Sequence, residues 1–307
     1  MDKSTPLVSI AMATYNGEKY IKQQLDSIVQ QTHKNLEIVI VDDSSTDSTY
    51  EILQDYANRY GNIKIMRNEQ NTGVSQSFSR SLLNTTGQFI ALSDQDDVWF
   101  HNKIEVLLAN ISSNMMIHSD DVIVDDNLNV IYESHVAMSK NPYWHDFKDY
   151  LVNVNVTGCT VMVSRKLLDI ALPIPSDFVI HDWYLAIIAS YYNSITLWNQ
   201  PLLYYRQHSS NVSGVRKKTY QVFMNHSALF AKCLSSLLNL DIFKGNVDVM
   251  VMQRYWQSIA DRKFDKRLLA SVWRNPHRMK LIALMMILIL PPRKLSRKFY
   301  NLLRKFI

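Results

Sequence analysis

The most constraining feature of this chain is a regular alternation, from residue 6 to about residue 97, of short apolar runs with segments carrying apolar residues at helical spacing. Residues 7–13, 36–41, 63–66 and 88–92 have the length and aliphatic content of buried strands. Between them, residues 18–30 place Ile21, Leu25, Ile28 and Val29 on one stripe. Residues 48–60 do the same with Leu53, Tyr56 and Ala57, with Asp47 or Ser48 available as N-cap. Residues 74–83 read as a third helix. Repeated β-α units of this length predict a largely parallel sheet covered by helices on both faces. Ligands of such sheets bind beyond the carboxyl ends of the strands. Three polar clusters directly follow predicted strands: Thr14-Tyr15-Asn16-Gly17, Asp42-Asp43-Ser44-Ser45 and Asp94-Gln95-Asp96-Asp97. They are expected to converge on one edge of the sheet.

Beyond residue 97 the pattern is mixed. Residues 99–110 read as a helix, 115–124 and 130–132 as strands, and 141–149 as an irregular aromatic stretch. Residues 157–163 read as a strand, 182–191 as a helix, 195–206 as containing a strand, and the chain after about residue 220 as helical. No internal repeat or low-complexity segment interrupts this order.

Taken alone, Asp42-Asp43-Ser44-Ser45 is equally a capped turn, since Asp and Ser after a strand cap the next helix. Asp94-Gln95-Asp96-Asp97 is harder to read that way. Three acids in four residues repel one another unless a cation sits among them. Carboxylates separated by a polar residue suit a hard divalent ion, with positions left open for diphosphate oxygens.

Four segments in order, VSIAMATYNGEKYIKQQLDSIVQQT, EIVIVDDSSTDST, NTGVSQSFSRSLL and GQFIALSDQDDVW, resemble the family-two inverting glycosyltransferases. The form Asp-Gln-Asp-Asp-Val-Trp is similar to rhamnosyltransferases and related capsule or O-antigen enzymes. Where many members have Ala-Arg-Asn after the glycine motif, this chain has Ser77-Phe78-Ser79.

The resemblance implies an α/β GT-A fold: a mixed, mostly parallel central sheet flanked by helices, with a helical C-terminal region. Residues 1–215 would form the catalytic domain (1–97 the nucleotide-binding half, 98–215 the acceptor-binding half), and 216–307 the helical region. The implied reaction moves a sugar, L-rhamnose from dTDP-rhamnose or a hexose from a UDP-sugar, to a lipid-linked oligosaccharide or polysaccharide acceptor. Thr14, Tyr15 and Glu18 match positions around the base and ribose. Asp42 matches an acid that bonds the pyrimidine, and Asp43 orders the same turn. Asn71 and Gly73 match a segment that approaches the nucleotide, with Asp94 and Gln95 near the ribose and sugar. Asp96 matches the direct ligand of one Mn2+ or Mg2+ ion. Asp182, in Ile180-His181-Asp182-Trp183-Tyr184, matches the catalytic base. In Tyr205-Arg206-Gln207-His208, Arg206 is implied at the diphosphate and His208 at the metal. Gly158 and Cys159 resemble the acceptor-side strand. Trp99 and Trp183 are candidates for stacking on sugar faces, an alternative to ordinary aromatic core packing.

Charge adds a second expectation. The chain has 33 basic and 28 acidic residues, yet the stretch 266–307 holds 11 Lys and Arg and no acid, so the remainder is net acidic. Such segregation is not the footprint of a nucleic-acid-binding face. Residues 281–290 are apolar but far short of the ~20 needed to span a bilayer. Residues 293–307 set Leu295, Phe299, Leu302, Leu303 and Phe306 on one helical face opposite Arg and Lys, as in helices that lie in a membrane interface. Docking on the body or on a second subunit, as in a homodimer, is the other reading of that face. With no signal peptide and two cysteines, Cys159 and Cys233, lacking any C-x-x-C spacing, the expected place is the cytoplasm, at the inner face of the membrane. Two other classes compete. A sugar-nucleotide pyrophosphorylase would need an N-terminal Gly-rich loop with Arg and Lys, which is absent. A non-catalytic scaffold would not need Asp96, Asp182 and His208 together.

Overall fold

A computed structural model describes residues 5–139, 146–152, 154, 156–209, 211, 220–263 and 268. It contains two compact units. One comprises residues 1–146 and 154–214, the other residues 147–153 and 215–307.

The first unit opens with the alternation expected from sequence: β1 (Val8–Thr14), α1 (Ile21–Val29), β2 (Leu36–Asp42), α2 (Thr49–Arg59), β3 (Ile63–Arg67), α3 (Val74–Leu83) and β4 (Phe89–Ser93). It continues with β5 (Val98–Trp99), α4 (Lys103–Ile111), β6 (Met116–Val124), β7 (Val130–Tyr132) and α5 (His135–Ser139). In the second unit, α6 (Phe147–Tyr150) interrupts this order. Then β8 (Val161–Ser164), α7 (Arg165–Ala171), α8 (His181–Tyr191) and β9 (Ile195–Arg206) complete the first.

Among the described residues, nine strands join one sheet in the order β3-β2-β1-β4-β8-β6-β9-β5, with β7 beside β6. The long ladders, β1 with β2, β1 with β4, β2 with β3 and β6 with β9, are parallel. The antiparallel ones are short: β4 with β8, β6 with β8, β5 with β9 and β6 with β7. β8 runs against both β4 and β6, so β6 and β9 point the same way as β1 to β4. The carboxyl ends of β1, β2, β4, β6 and β9 therefore share one edge, and the chain entering β8 starts there too.

Every residue of β1 is buried, because α-helices cover both faces of the strand. On one face Val8, Ile10 and Met12 meet Ile38, Ile40 and Ala91, with Ile21, Leu25 and Ile28 of α1 and Leu53 and Tyr56 of α2 above them. α3 packs on the other face of β1 and β2, and its Ser81 hydroxyl donates to the Val39 carbonyl at 2.8 Å. This packing makes the edge a rigid platform: truncating one such buried aliphatic residue to Ala costs about 2–5 kcal/mol.

Two readings of the second half are corrected. The segment from residue 99 begins as a two-residue strand, and its helix starts only at Lys103. The segment from residue 157 begins as a 3-10 turn, Gly158–Thr160, before the strand at Val161. In the second unit α9 (Tyr220–Leu237) packs with α10 (Val247–Ala260), which is capped by Asn246 accepting from Val249 N at 3.1 Å. The basic stretch at 293–307 and the apolar run 281–290 lie outside the described residues. Among the described residues no helix is long and apolar enough to cross a membrane.

Candidate active site

The loops after β1 and β2 are tied to each other by side chains. Asn16 N donates to Ser45 Oγ at 3.0 Å and Gly17 N to Thr49 Oγ1 at 2.7 Å. Glu18 accepts from Ser48 N at 2.9 Å, so it joins the two loops and stays exposed. Thr14 and Asp42 end neighbouring strands in register, and Thr14 Oγ1 lies 3.3 Å from Asp42 Oδ1. Asp42 is 0 % exposed, with Ser45 N at 3.1 Å and Arg67 Nε at 3.3 Å on its Oδ2. That sealing corrects the expected contact with a pyrimidine: the Asp42 carboxylate holds the turn instead.

Asp43 organises the next loop. Its Oδ1 accepts from Asn68 Nδ2 at 2.7 Å and Thr72 N at 2.8 Å, and its Oδ2 from Gly73 N at 2.8 Å. Burial pushes this carboxyl up, but the bonds from Asn68, Thr72 and Gly73 outweigh it and hold it below the usual range. Gly73 sits at φ 88°, in the left-handed region that favours glycine, and with Asn71 it remains exposed.

Gln95 locks the first loop from the other side. Tyr15 N donates to its Oε1 at 2.9 Å, and its Nε2 donates to Tyr15 O at 3.0 Å. A Cβ on Gly17 would lie 2.3 Å from that Oε1, so a larger residue there would push the Gln95 amide out of the pair. Tyr15 keeps 44 % of its surface exposed, an aromatic face open at the edge.

Asp96 meets His208 across 112 positions of sequence, with Nε2 2.9 Å from Oδ2. Both keep a small opening, 14 % for the Asp96 side chain and 9 % for His208. Asn211 reaches the same oxygen at 3.4 Å, and the Tyr20 ring lies 4.7 Å from the imidazole. Arg206, expected at a diphosphate, is 3 % exposed. Its Nε donates to Asp96 O and its Nη1 to Asp126 O, both at 2.7 Å, and its Nη2 to Gln23 Oε1 at 2.5 Å. This corrects the expectation of a direct phosphate contact: the guanidinium faces inward and fixes the backbone of Asp96.

Asp182 stands in the first turn of α8, where it accepts from Trp183 N at 2.8 Å. Gly158 faces it: a Cβ there would lie 3.5 Å from Asp182 Oδ2 and 3.2 Å from His181 Nε2. His181 is stacked on Phe78 at 3.9 Å, and its buried Nε2 has no hydrogen-bond partner among the described residues. Asp94 links the two halves of the site. It is pushed up to about 7 by burial and then by the charges of Asp96 and Asp182. The acids after β4 and the acid of α8 thus share one electrostatic environment.

The acceptor-side aromatics do not reach it. Trp99 is 3 % exposed and lies under the Lys103 ammonium, 3.5 Å from its ring centroid, while Trp183 is 0 % exposed against Phe178. Both are core residues, which corrects the expectation of sugar stacking. Cys159 is fully buried as well. Conversely, local pattern carries no signal for Lys103, Asp121 or His135. Asp121, within β6, pairs with His135, with Nδ1 3.1 Å from Oδ2. Burial pushes Lys103 down to about 7, although Cys159, Asp97, Asp94 and Asp121 all favour its charge.

Two groups of ligand atoms suit a cation to different degrees. Asp94, Asp97 and Cys159 bring one ligand atom each within 4.8 Å of one another. Burial drives the Asp97 carboxyl and the Cys159 thiol well above their ordinary ranges. Two of the three are sealed from the edge, and one of those offers sulfur, a poor ligand for a hard ion. Asp96 and His208 fit better: both open to the edge, and the carboxylate oxygen suits Mn2+ or Mg2+.

Comparison with known proteins agrees with this architecture. The glycosyl transferase family 2 model matches residues 9–170, just over half of the chain. The dTDP-rhamnosyl transferase RfbG of Shigella flexneri is 28% identical over 286 residues, covering 83% of this chain and 96% of the relative. The UDP-Glc:alpha-D-GlcNAc-diphosphoundecaprenol beta-1,3-glucosyltransferase WfgD of Escherichia coli is 32% identical over 219 residues, covering 69% of this chain and 81% of the relative. Among solved structures, S. aureus TarS 1-349 in complex with UDP superposes with a TM-score of 0.59 at 19% identity, covering 98% of this chain and 92% of that one. This likeness shows the GT-A fold.

Proposed function

Because the chain belongs to glycosyl transferase family 2 and is a glycosyltransferase, we propose that it transfers one sugar, with inversion, from a nucleoside-diphosphate donor to an acceptor hydroxyl. The acceptor is a lipid-linked oligosaccharide or a polysaccharide of the bacterial cell surface, and the donor is dTDP-L-rhamnose or, second, a UDP-hexose. The names of the RfbG and WfgD relatives support those donor classes, and the diphosphoundecaprenol in the latter supports a lipid-linked acceptor. The single observation that carries the reading is the pairing of Asp96 with His208 at 2.9 Å beyond the end of β4, beside Asp94, whose carboxyl is raised in part by the charge of Asp182.

In this reading the loops holding Tyr15, Asn71 and Gly73 receive the nucleotide, with Thr14, Glu18, Asp42 and Asp43 shaping them and Gln95 locking the first. Asp96 and His208 would hold Mn2+ or Mg2+, which when bound supplies positive charge to the departing diphosphate. Arg206 keeps Asp96 in place through its carbonyl. Asp182 accepts the proton of the acceptor hydroxyl as that oxygen bonds to the anomeric carbon. The bond from the anomeric carbon to the β-phosphate oxygen breaks on the opposite face, and its electron pair leaves with the nucleoside diphosphate. The protein works at the inner face of the cytoplasmic membrane, held there by the basic segment 293–307.

The test is a panel of nucleotide sugars scored by release of nucleoside diphosphate, with and without chelator. One donor of the panel should turn over, chelation should stop it, and Mn2+ should restore it. Asp182→Asn should lose most of its turnover and keep nucleotide affinity. Turnover and affinity that survive chelation would overturn the reading.

A further inference from the structure

Lys103 is 0 % exposed at the first position of α4. Its ammonium lies over the Trp99 ring, 3.5 Å from the centroid, and its Nζ donates a short hydrogen bond to the carbonyl oxygen of Cys159. Among the described residues it makes no ion pair within 4.0 Å. Burying an ammonium in this way is costly, and Met or Leu would fill the same volume without that cost. Packing alone does not explain a lysine here.

The buried acids around it favour a positive charge, and the carbonyl it holds fixes where that charge sits. Cys159 is the middle residue of the 3-10 turn Gly158–Thr160, and Gly158 is the surface that Asp182 and His181 stand against. On the far side, His181 is clamped by its stack on Phe78. Asp182 is thus bracketed by an aromatic stack and a glycine wall, and the wall's position is set through one backbone carbonyl. Lys103 and Asp182 are separated by 79 positions in sequence and joined by this turn.

We propose that Lys103 is a positioning residue for Asp182: through the Cys159 carbonyl it fixes the Gly158 wall and so the placement of the carboxylate that receives the acceptor proton. The proposal rests on the reading of Asp182 as the base. Displacement of a reacting group by about 1 Å can cost ~100-fold in rate, so a single hydrogen bond to a wall is enough to matter.

Lys103→Met keeps an apolar stem and removes the donor. Turnover of the accepted nucleotide sugar and affinity for its nucleoside diphosphate with Mn2+ are measured for this change in the native and the Asp182→Asn backgrounds. In the native background kcat should fall roughly 10- to 100-fold while nucleotide Kd stays within about twofold. On the residual turnover of Asp182→Asn the same change should have no further effect, which a merely structural lysine would not reproduce. Gly158→Ala, which crowds Asp182 and His181 from the wall itself, should give the same split between turnover and affinity. Equal losses in both backgrounds, loss of nucleotide affinity or of cooperative melting together with turnover, or a fully active Gly158→Ala would each overturn the proposal. Full turnover by Asp182→Asn alone would instead remove the base reading, a result visible before Lys103 is touched.

Discussion

Asp43→Asn tests the architecture of the donor edge more sharply than any change at the chemistry itself. The Asp43 side chain is almost fully buried and takes hydrogen bonds from Asn68 Nδ2 at 2.7 Å, Thr72 N at 2.8 Å, Thr72 Oγ1 at 3.0 Å and Gly73 N at 2.8 Å. All four partners are donors. An amide in this place keeps one acceptor oxygen and turns an NH2 group toward either the Gly73 N–H or the Thr72 N–H and Asn68 amide. At least one buried donor is then unsatisfied and the charge that strengthened the rest is gone, which together costs about 2–4 kcal/mol. For a unit of this size the fall in Tm is roughly 5–10 °C. Chemical denaturation and thermal melting of the two proteins measure it, and nucleotide titration should show weaker binding because the loop bearing Asn71 and Gly73 is no longer held. The pH dependence provides a second check. The Asp43 carboxyl is depressed in the folded protein, so its contribution is present above the ordinary value near 3.8 and is lost as pH falls through the folded value. The gap between native and variant stability should therefore narrow in acid. A loss under about 0.5 kcal/mol at neutral pH, or a gap that widens in acid, would refute the reasoning.

The other expectations are each tied to one contact. Gly17→Ala puts a Cβ 2.3 Å from Gln95 Oε1, opening the paired bonds to Tyr15; nucleotide Kd should rise about tenfold by calorimetry, with little change in far-UV circular dichroism. His208→Ala should raise the Mn2+ concentration for half-maximal turnover at least ~10-fold, and an unchanged metal titration would remove His208 from the cation site. Trp183→Ala empties a fully buried position and should cost about 3–5 kcal/mol in denaturant unfolding, and the folded protein should keep its acceptor KM.

The alternation of buried strands and amphipathic helices up to residue 93 was legible in the sequence because it is a local property. Side chains two apart on a strand, or three and four apart on a helix, must present the same chemistry to one core. The rule that ligands gather beyond strand ends places Thr14, Asp42, Asp43, Asp94 and Asp96 on one edge from sequence alone. The later segments were harder to read because β8 enters between β4 and β6 against their direction, and the apolar run of a strand has no sign for direction. What each polar or aromatic residue touches was decided only by the tertiary structure. Arg206 has three carbonyl and amide oxygens within reach and turns inward, Trp99 and Trp183 lie in the core, and Lys103 finds the Cys159 carbonyl 56 positions away. The physical reason is that a side chain's environment is set by register and packing between distant segments. Sequence period specifies which face a residue occupies, and only the folded sheet specifies what stands opposite that face.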